Sequence, residues 1–500
     1  MTGNVSTGIL AWGVYLPYWR LQRSAIGATL GGPSGRGTRA VASYDEDTTT
    51  LGVEAARQAL SALAGDPPDD LYFATPAPAY LDKTNATAVH AALELPEWTG
   101  AYDLLGSVRS SVAALRAAHA QAATGGTRGL AVLADLRTGL AGGAEERDSG
   151  DGAAAFVFGP DGGDAPVAAE LVAHAAVSAE FLDRWRTPGE SDSKVWEERF
   201  GQEVYVPLVE AATAEAFKRA GIVAADVDHL ALAGLHVRAV QAVGRSLGTR
   251  PEALAADRSS VVGNLGAAQA GMLLADALDR AHPGELIALV VVADGADVFV
   301  FRATDALPAV RADRVSRGAT TVAESADAGR DDLPYARFLT WRDELRREPP
   351  RRPDPERPGA PATWRVTPWK SGFTASDCRA CGFRHLPPSR VCLRCRTIDE
   401  MEPVRMADVR GQVATFTVDH LAYSPSPPVV GAVVDFDGGG RYRCEMTDVD
   451  PDRLAIGTRV EMAFRVLSTA KGVHNYFWKA RPVVTAAPGD DTGEDRGGTA

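Results

Sequence analysis

SSVVGNLGAAQAGMLLADAL (Ser259–Leu278) and, a few residues on, ELIALVVVAD (Glu285–Asp294) decide the fold class. Apolar residues recur at three- and four-residue spacing from Leu265, which predicts a helix over Leu265–Ala281; the second stretch reads as a strand. The same pairing recurs upstream. GLAVLAD (Gly129–Asp135) and AAAFVFG (Ala153–Gly159) read as strands, and Thr50–Leu63, Ser111–Ala123 and Val206–Ala220 as helices. Such alternation predicts a layered α/β fold, with a turn-rich joint between two halves at PDGGDA (Pro160–Ala165).

The chain has 500 residues, 45% apolar and 23% charged, too many for one core, so several domains are expected. Lys and Arg number 52 against 65 Asp and Glu, a formal charge of −13, which disfavours a role in coating nucleic acid. No apolar run approaches the ~20 residues of a membrane helix. The opening MTGNVSTGILAWG (Met1–Gly13) lacks a basic segment followed by a long apolar one, so a cytoplasmic protein without membrane attachment is expected.

From Ala303 the chain turns polar and leads to an amphipathic segment at Tyr335–Arg347. EPPRRPDPERPGAPA (Glu348–Ala362) follows, with six prolines, and reads as a stiff, non-helical spacer. Beyond it VATFTVDHLAY (Val413–Tyr423) and PVVGAVVDFDGGG (Pro428–Gly440) predict a small β-barrel. The expected domains are 1–160 and 161–302 as the two α/β halves, 303–363 as linker with a short helix, 364–402 and 403–483 as two small domains, and 484–500 as a disordered tail.

All five cysteines lie between Cys378 and Cys444. Cys378-x-x-Cys381 and Cys392-x-x-Cys395 are ten residues apart and can close a tetrahedron around one ion. Four thiolates favour zinc and leave no position for water, so the ion holds structure. A redox pair is the weaker alternative. His385, inside the loop, reads as a loop residue, and Cys444 as a small buried apolar group.

Two resemblances sharpen this picture. Trp364–Pro482, through the cysteine segment, the stretch Gly411–Arg465 and NYFWKARP (Asn475–Pro482), resembles the zinc-ribbon/OB-fold family that accompanies thiolase-like acyl-CoA enzymes. An OB barrel could also bind single-stranded nucleic acid, but the acidic balance opposes that. Val5–Arg302 resembles 3-hydroxy-3-methylglutaryl-CoA synthase, especially its archaeal form, within the thiolase superfamily. DEDTTTLGVEAARQAL (Asp45–Leu60), SGDGAAAFVFG (Ser149–Gly159), FLDRWRTPGESDSKVWEERFGQEVYVPLVEAA (Phe181–Ala212), AGLHVRAV (Ala233–Val240) and Ser259–Leu278 carry it. The resemblance implies a five-layered αβαβα thiolase-like fold, followed by the zinc ribbon and OB-fold barrel, and a homodimer formed through the first half.

It also implies what the site has lost. The family's nucleophile is a cysteine at a helix N-terminus, where the dipole favours the thiolate. In AYDLLGSVRSSVAAL (Ala101–Leu115) that slot falls on Val108, with Ser107 beside it. The family's glutamate acid/base maps onto Pro76 or Pro78 in FATPAPAYLDKTNAT (Phe73–Thr87), which contains no glutamate. His236 and Asn264 match the family's polar active-site pair, groups that can donate hydrogen bonds to a thioester oxygen as an enolate forms. The plainer reading of a lone histidine is a structural one. Ser107 as substitute nucleophile lacks a base; Asp82 and Tyr80 are candidate acid/base groups on the degenerate loop. The SGDGAAA glycines read as tight turns and close packing, not a phosphate loop.

The expected function is an acyl-CoA enzyme that makes or breaks a C–C bond without a cysteine nucleophile. The alternative is a non-catalytic pseudo-synthase subunit that scaffolds an active thiolase or acyltransferase and holds the CoA ester. An intact 3-hydroxy-3-methylglutaryl-CoA synthase is contradicted by Val108 and the missing glutamate. Expected ligands are structural zinc and a CoA thioester; expected partners are a second copy and a thiolase-family protein.

Overall fold

The strands of the large sheet are covered on both faces, and their side chains sort between the covers with a period of two. In Gly129–Asp135, Ala131 and Leu133 join one apolar cluster, while Val132 lies under Gly52 of the helix Thr48–Ser61. In Leu286–Val292, Ile287, Leu289 and Val291 face that same cluster, and Leu286, Ala288, Val290 and Val292 face another. The computed structural model describes residues 6–32, 35–61, 63, 65–162, 165–351, 353 and 355–483. They form two units: residues up to Thr374 with Tyr423–Pro427 and Phe464–Trp478, and Ala375–Ala422 with Pro428–Ala463 and the residues from Lys479. The tail expected over 484–500 lies outside the described residues.

The first unit is built on a nine-stranded sheet of two pseudo-equivalent halves. One half runs Thr7–Tyr15, Gly152–Pro160, Gly129–Asp135, Asp70–Thr75, Gly100–Leu105; the other runs Ala169–Ser178, Gly295–Ala303, Leu286–Val292, His229–Gly234. Each half sets its first strand against its last. The halves meet through two residue pairs, Gly8 with Glu170 and Ile9 with Ala169. The helices Ser110–Gly125 and Gln269–Arg280 share the inner cluster between the sheets. Thr48–Ser61 packs on the first half and Glu198–Ala220 on the second, which completes the order helix, sheet, helices, sheet, helix.

Several expectations need correction. The helix read from Val206 begins at Glu198 and runs through Pro207, because its exposed first turns carry no apolar period. The helix read over Leu265–Ala281 starts as a 3₁₀ turn at Gly266–Ala268 and becomes α-helical only at Gln269; Gly266 has φ +55°.

Part of the expected linker belongs to the core. Residues 307–316, 322–327 and 335–341 are helical, and Leu307, Val310, Val322 and Ala326 enter the inner cluster. Their short helices alternate with arginines that read as solvated, yet Arg314 is 2% exposed. Its Nε donates to Trp12 O (2.9 Å), its Nη1 to Asp279 Oδ1 (3.0 Å), and it stacks on the Trp12 ring. The proline-rich segment ends sooner than expected, since Ala360–Arg365 is helical with Pro361 in its first turn, where a missing N–H costs nothing.

In the second unit, Thr374–Cys378, Arg384–His385 and Met401–Arg405 pair as a three-stranded sheet. His385 therefore sits on a short strand rather than a loop, 3% exposed against the Phe383 ring. A five-stranded sheet has the order Arg441–Glu445, Val429–Phe436, Gly411–Asp419, Arg459–Ala470, Val473–Pro482, of which residues 464–478 are counted with the first unit. Val430, Ala432, Val434 and Phe436 point inward at strict alternation. Cys444 is buried opposite Ala432, and burial pushes its thiol up to about 12, an inert state. Among the described residues no helix is long and apolar enough to cross a membrane.

Truncating Arg314 would strand a buried carboxylate at Asp279. Arg314→Ala is expected to lower the stability of the first unit by about 3–5 kcal/mol, read as a shifted midpoint in urea denaturation.

Candidate functional site

The parallel strands Asp70–Thr75 and Gly100–Leu105 of one half, and His229–Gly234 and Leu286–Val292 of the other, carry their C-terminal ends to a common cavity of about 500 Å³. Open α/β sheets bind ligands at such strand ends. Ser107 and Val108 line the cavity where the chain leaves the first half's edge strand and enters the inner helix Ser110–Gly125. Pro76 and Pro78 line it from the neighbouring loop. The two positions that resemblance marks as vacated by a nucleophile and an acid/base therefore face the same space.

His236 lines the cavity from the second half. It follows the strand His229–Gly234 and caps the helix Val237–Ser246, with its Nδ1 accepting the Ala239 N–H at 3.1 Å. A ring nitrogen that accepts a backbone N–H carries no proton, so in the neutral ring the proton sits on Nε2. His236 is 8% exposed and its Nε2 has no hydrogen-bond partner. It is a buried donor directed by a helix cap and left unused.

Asn264 lies elsewhere. Its Nδ2 donates to Gly234 O (2.8 Å), its Oδ1 accepts the Gly266 N–H (3.0 Å), and it is not a lining residue. The asparagine ties the Gly263–Gly266 turn to the end of the strand that presents His236. Asp82 is exposed with φ +59°, Tyr80 accepts the His474 N–H at 2.7 Å, and neither lines the cavity. In SGDGAAA, a Cβ on Gly150 would stand 1.9 Å from Val262 O, a close-packing requirement.

Among the cavity residues that escaped the sequence reading are two acids and a phenol, Asp183, Asp294 and Tyr205. Asp183 is 5% exposed and its Oδ1 has no hydrogen-bond partner. A Cβ on Gly201 would lie 2.5 Å from His236 Nε2 and 2.7 Å from Asp183 Oδ1, so the imidazole and the carboxylate converge on space that only glycine leaves open. Tyr205 packs its ring 5.9 Å from that of His236; burial, then the Asp183 charge, raise its hydroxyl pKa. Asp294 sits at the turn after Leu286–Val292 with φ +46°. Burial raises its carboxyl pKa, Arg109 opposes the shift, Asp183 and Glu180 add to it, and the Ser107 hydroxyl beside it works against it. An acid closing the otherwise apolar run ELIALVVVAD was the available signal. Asp183 and Tyr205 lie in the Phe181–Ala212 stretch with no spacing rule to single them out.

The cavity also holds arginines. Arg137 is paired with Asp135 (3.5 Å) and with Glu145, and Arg184 with Glu145 (3.1 Å). Arg186 donates to Pro76 O at 2.8 Å, which anchors the proline loop.

The four cysteines of the ribbon converge. Their sulfurs all lie within 4.8 Å of one another, with Cys378 to Cys395 at 3.5 Å and Cys381 to Cys392 at 3.6 Å. Tetrahedral zinc with Zn–S near 2.3 Å needs sulfurs about 3.8 Å apart. The donor set fits a zinc ribbon.

Residues 403–465 match the family model described as ChsH2, C-terminal OB-fold domain. A DUF35 domain-containing scaffold protein of Methanothermobacter thermautotrophicus is 30% identical over 125 residues, 24% of this chain and 93% of that protein. The solved structure of MvaS in complex with 3-hydroxy-3-methylglutaryl coenzyme A is similar with a TM-score of 0.58 at 20% identity, over 71% of this chain and 95% of that one, a likeness of fold. The hydroxymethylglutaryl-CoA synthase of Methanopyrus kandleri is 30% identical over 327 residues, 62% of this chain and 91% of that protein. With a thiolase-like α/β fold, a cysteine cluster that fits a zinc ribbon and an OB-fold domain, the chain belongs to the hydroxymethylglutaryl-CoA synthase family.

Proposed function

We propose that the chain binds an acyl-CoA thioester and makes or breaks a C–C bond next to its carbonyl without forming a covalent intermediate on cysteine. One observation carries this reading: the Nε2–H of His236, fixed by the Ala239 cap, is buried at the cavity without a partner. A thioester oxygen placed there would accept that bond, and accept it more strongly as negative charge develops on the way to the enolate. Solved relatives support the ligand class, since one is bound to 3-hydroxy-3-methylglutaryl coenzyme A. Asn264, with both ends of its amide engaged, acts as a positioning residue for the strand that presents His236. Val108 in the nucleophile slot removes acyl transfer to the protein from the mechanism.

The second reading, a pseudo-synthase subunit that holds a CoA ester for an active thiolase or acyltransferase, is favoured by Val108 and by likeness to a protein named a scaffold. Turnover separates the two. For Cys378, Cys381, Cys392 and Cys395 we propose structural zinc, which supplies folding energy to the ribbon and no chemistry.

His236→Ala is expected to lower kcat on β-hydroxyacyl-CoA esters by about 10²–10³-fold, with the Kd for a CoA ester, measured by calorimetry, unchanged. A wild-type protein that binds CoA esters yet releases no product from any β-hydroxyacyl or acyl donor would favour the scaffold. Gly201→Ala is expected to cost about 10²-fold in kcat/KM while thermal unfolding shifts little, because the added methyl displaces His236 and Asp183 rather than the core. Native mass spectrometry is expected to find one zinc per chain. Chelation is expected to unfold the ribbon, seen as loss of its amide protection, while the first unit keeps its own.

A further inference from the structure

The geometry points to Asp294 as the acid/base catalytic residue of this cavity, taking the place of the family's missing glutamate from the opposite half of the fold. This rests on the C–C reading above. Asp294 lines the cavity at the turn between the strands Leu286–Val292 and Gly295–Ala303, across from Ser107 and Val108. Its backbone holds φ +46°, the left-handed conformation that aspartate readily adopts in a tight turn between two strands.

The surroundings of that turn are specific. Arg109, which caps the inner helix, donates from Nη1 to Asp294 O (2.7 Å) and from Nε to Asp297 Oδ2 (2.9 Å). Asp297 is 2% exposed and its other oxygen meets His174 Nε2 at 3.2 Å. One arginine therefore latches the turn of the second half onto the nucleophile-slot loop of the first. Its hydrogen bonds go to Asp297 and to two backbone carbonyls and none to the Asp294 carboxylate, on which its charge still acts; Asp294 lines the cavity with the Ser107 hydroxyl beside it.

In the cleavage direction the Asp294 carboxylate takes the proton of the β-hydroxyl. The O–H electron pair forms the new carbonyl, the Cα–Cβ bond breaks, and its pair passes to Cα and the thioester oxygen as an enolate held by His236 Nε2–H. The Asp294 carboxylic acid then returns the proton to Cα. A β-hydroxyacyl-CoA becomes an aldehyde or ketone and a shortened acyl-CoA, with no oxidant, reductant or water consumed. Condensation is the reverse.

The groups that face Asp294 are Arg109, Asp183, Glu180, Ser107 and the Tyr205 hydroxyl. Asp294 is exposed on the cavity wall, and there desolvation and the two neighbouring carboxylates outweigh Arg109 and the Ser107 hydroxyl and favour its protonated form, so in the cleavage direction kcat/KM is expected to rise with pH through a limb displaced upward from that of an ordinary aspartate. The test uses the full chain with β-hydroxyacyl-CoA esters, and with acetyl-CoA in D2O for exchange at Cα read by NMR. Asp294→Asn is expected to bind the esters as the wild type does, to lose about 10²–10⁴-fold in kcat, to lose exchange, and to lose the pH limb. A wild type that turns over while Asp294→Asn retains its rate and pH limb overturns the assignment and leaves the C–C reading standing; a wild type with neither turnover nor exchange overturns both. A Ser107 acyl adduct in intact-mass spectra would make serine the nucleophile and also overturn it.

Discussion

One helix buried on nearly every side sets the terms for this protein. Gln269–Arg280 is touched by strands of both halves, and Ser110–Gly125 lays one face on the strands of the first half while Ala113, Arg116 and Ala120 stay exposed, so there is little room for side chains at the contacts the two helices make in the inner cluster. Ala114, Ala118, Ala122, Ala270, Ala275 and Ala277 fill these positions, and a Cβ on Gly271 would stand 2.6 Å from that of Ala154. Close packing at this density tolerates neither added volume nor voids. The chain fixes the helix Ser110–Gly125 this way, and its first residues arrive where the strands of both halves end. The cavity is a consequence of the shared layer.

What faces that cavity is a site stripped at two places and furnished at others. Val108 stands where the family's resemblance puts a thiol, and Pro76 or Pro78 where it puts a carboxylate. His236 and Asp183, however, remain buried with an unpartnered atom each, a cost of about 1–3 kcal/mol for every such group. Gly201 leaves the space on which both converge.

Periodicity makes the layers legible in the sequence. Three-residue and two-residue spacing locates the helices and strands of both halves because those elements are apolar on their covered faces and their neighbours are not. Gly129–Asp135 matches to the residue. Legibility ends where burial is charged. Arg314 sits in the inner core with its guanidinium matched to Asp279 and a carbonyl, and no periodic rule distinguishes such an arginine from a solvated one. At the site, His236, Ser107 and Val108 are legible through motif order, whereas Asn264 shares a motif but spends its amide on backbone. Asp183, Tyr205 and Asp294 meet only through the packing of two loops against the helix Glu198–Ala220.

The contrast between a working site and a holding site turns on those unpartnered atoms. A subunit that only grips a CoA ester gains its affinity from contacts along the long carrier and has no use for a desolvated donor at the acyl end. A methyl on Gly201, or an apolar residue at 183, would remove the cost of an open polar pocket while leaving the two sheets and their shared helices intact. Preorganised buried donors are most stabilising when charge appears on the atom they face, and an enolate oxygen is such an atom. The tautomer set by the Ala239 N–H keeps the proton on the nitrogen that can use it, at no cost in reorientation when the charge develops. That cap is a property of the helix start, so the donor proposed for the reaction is maintained by the same local geometry that begins the helix Val237–Ser246.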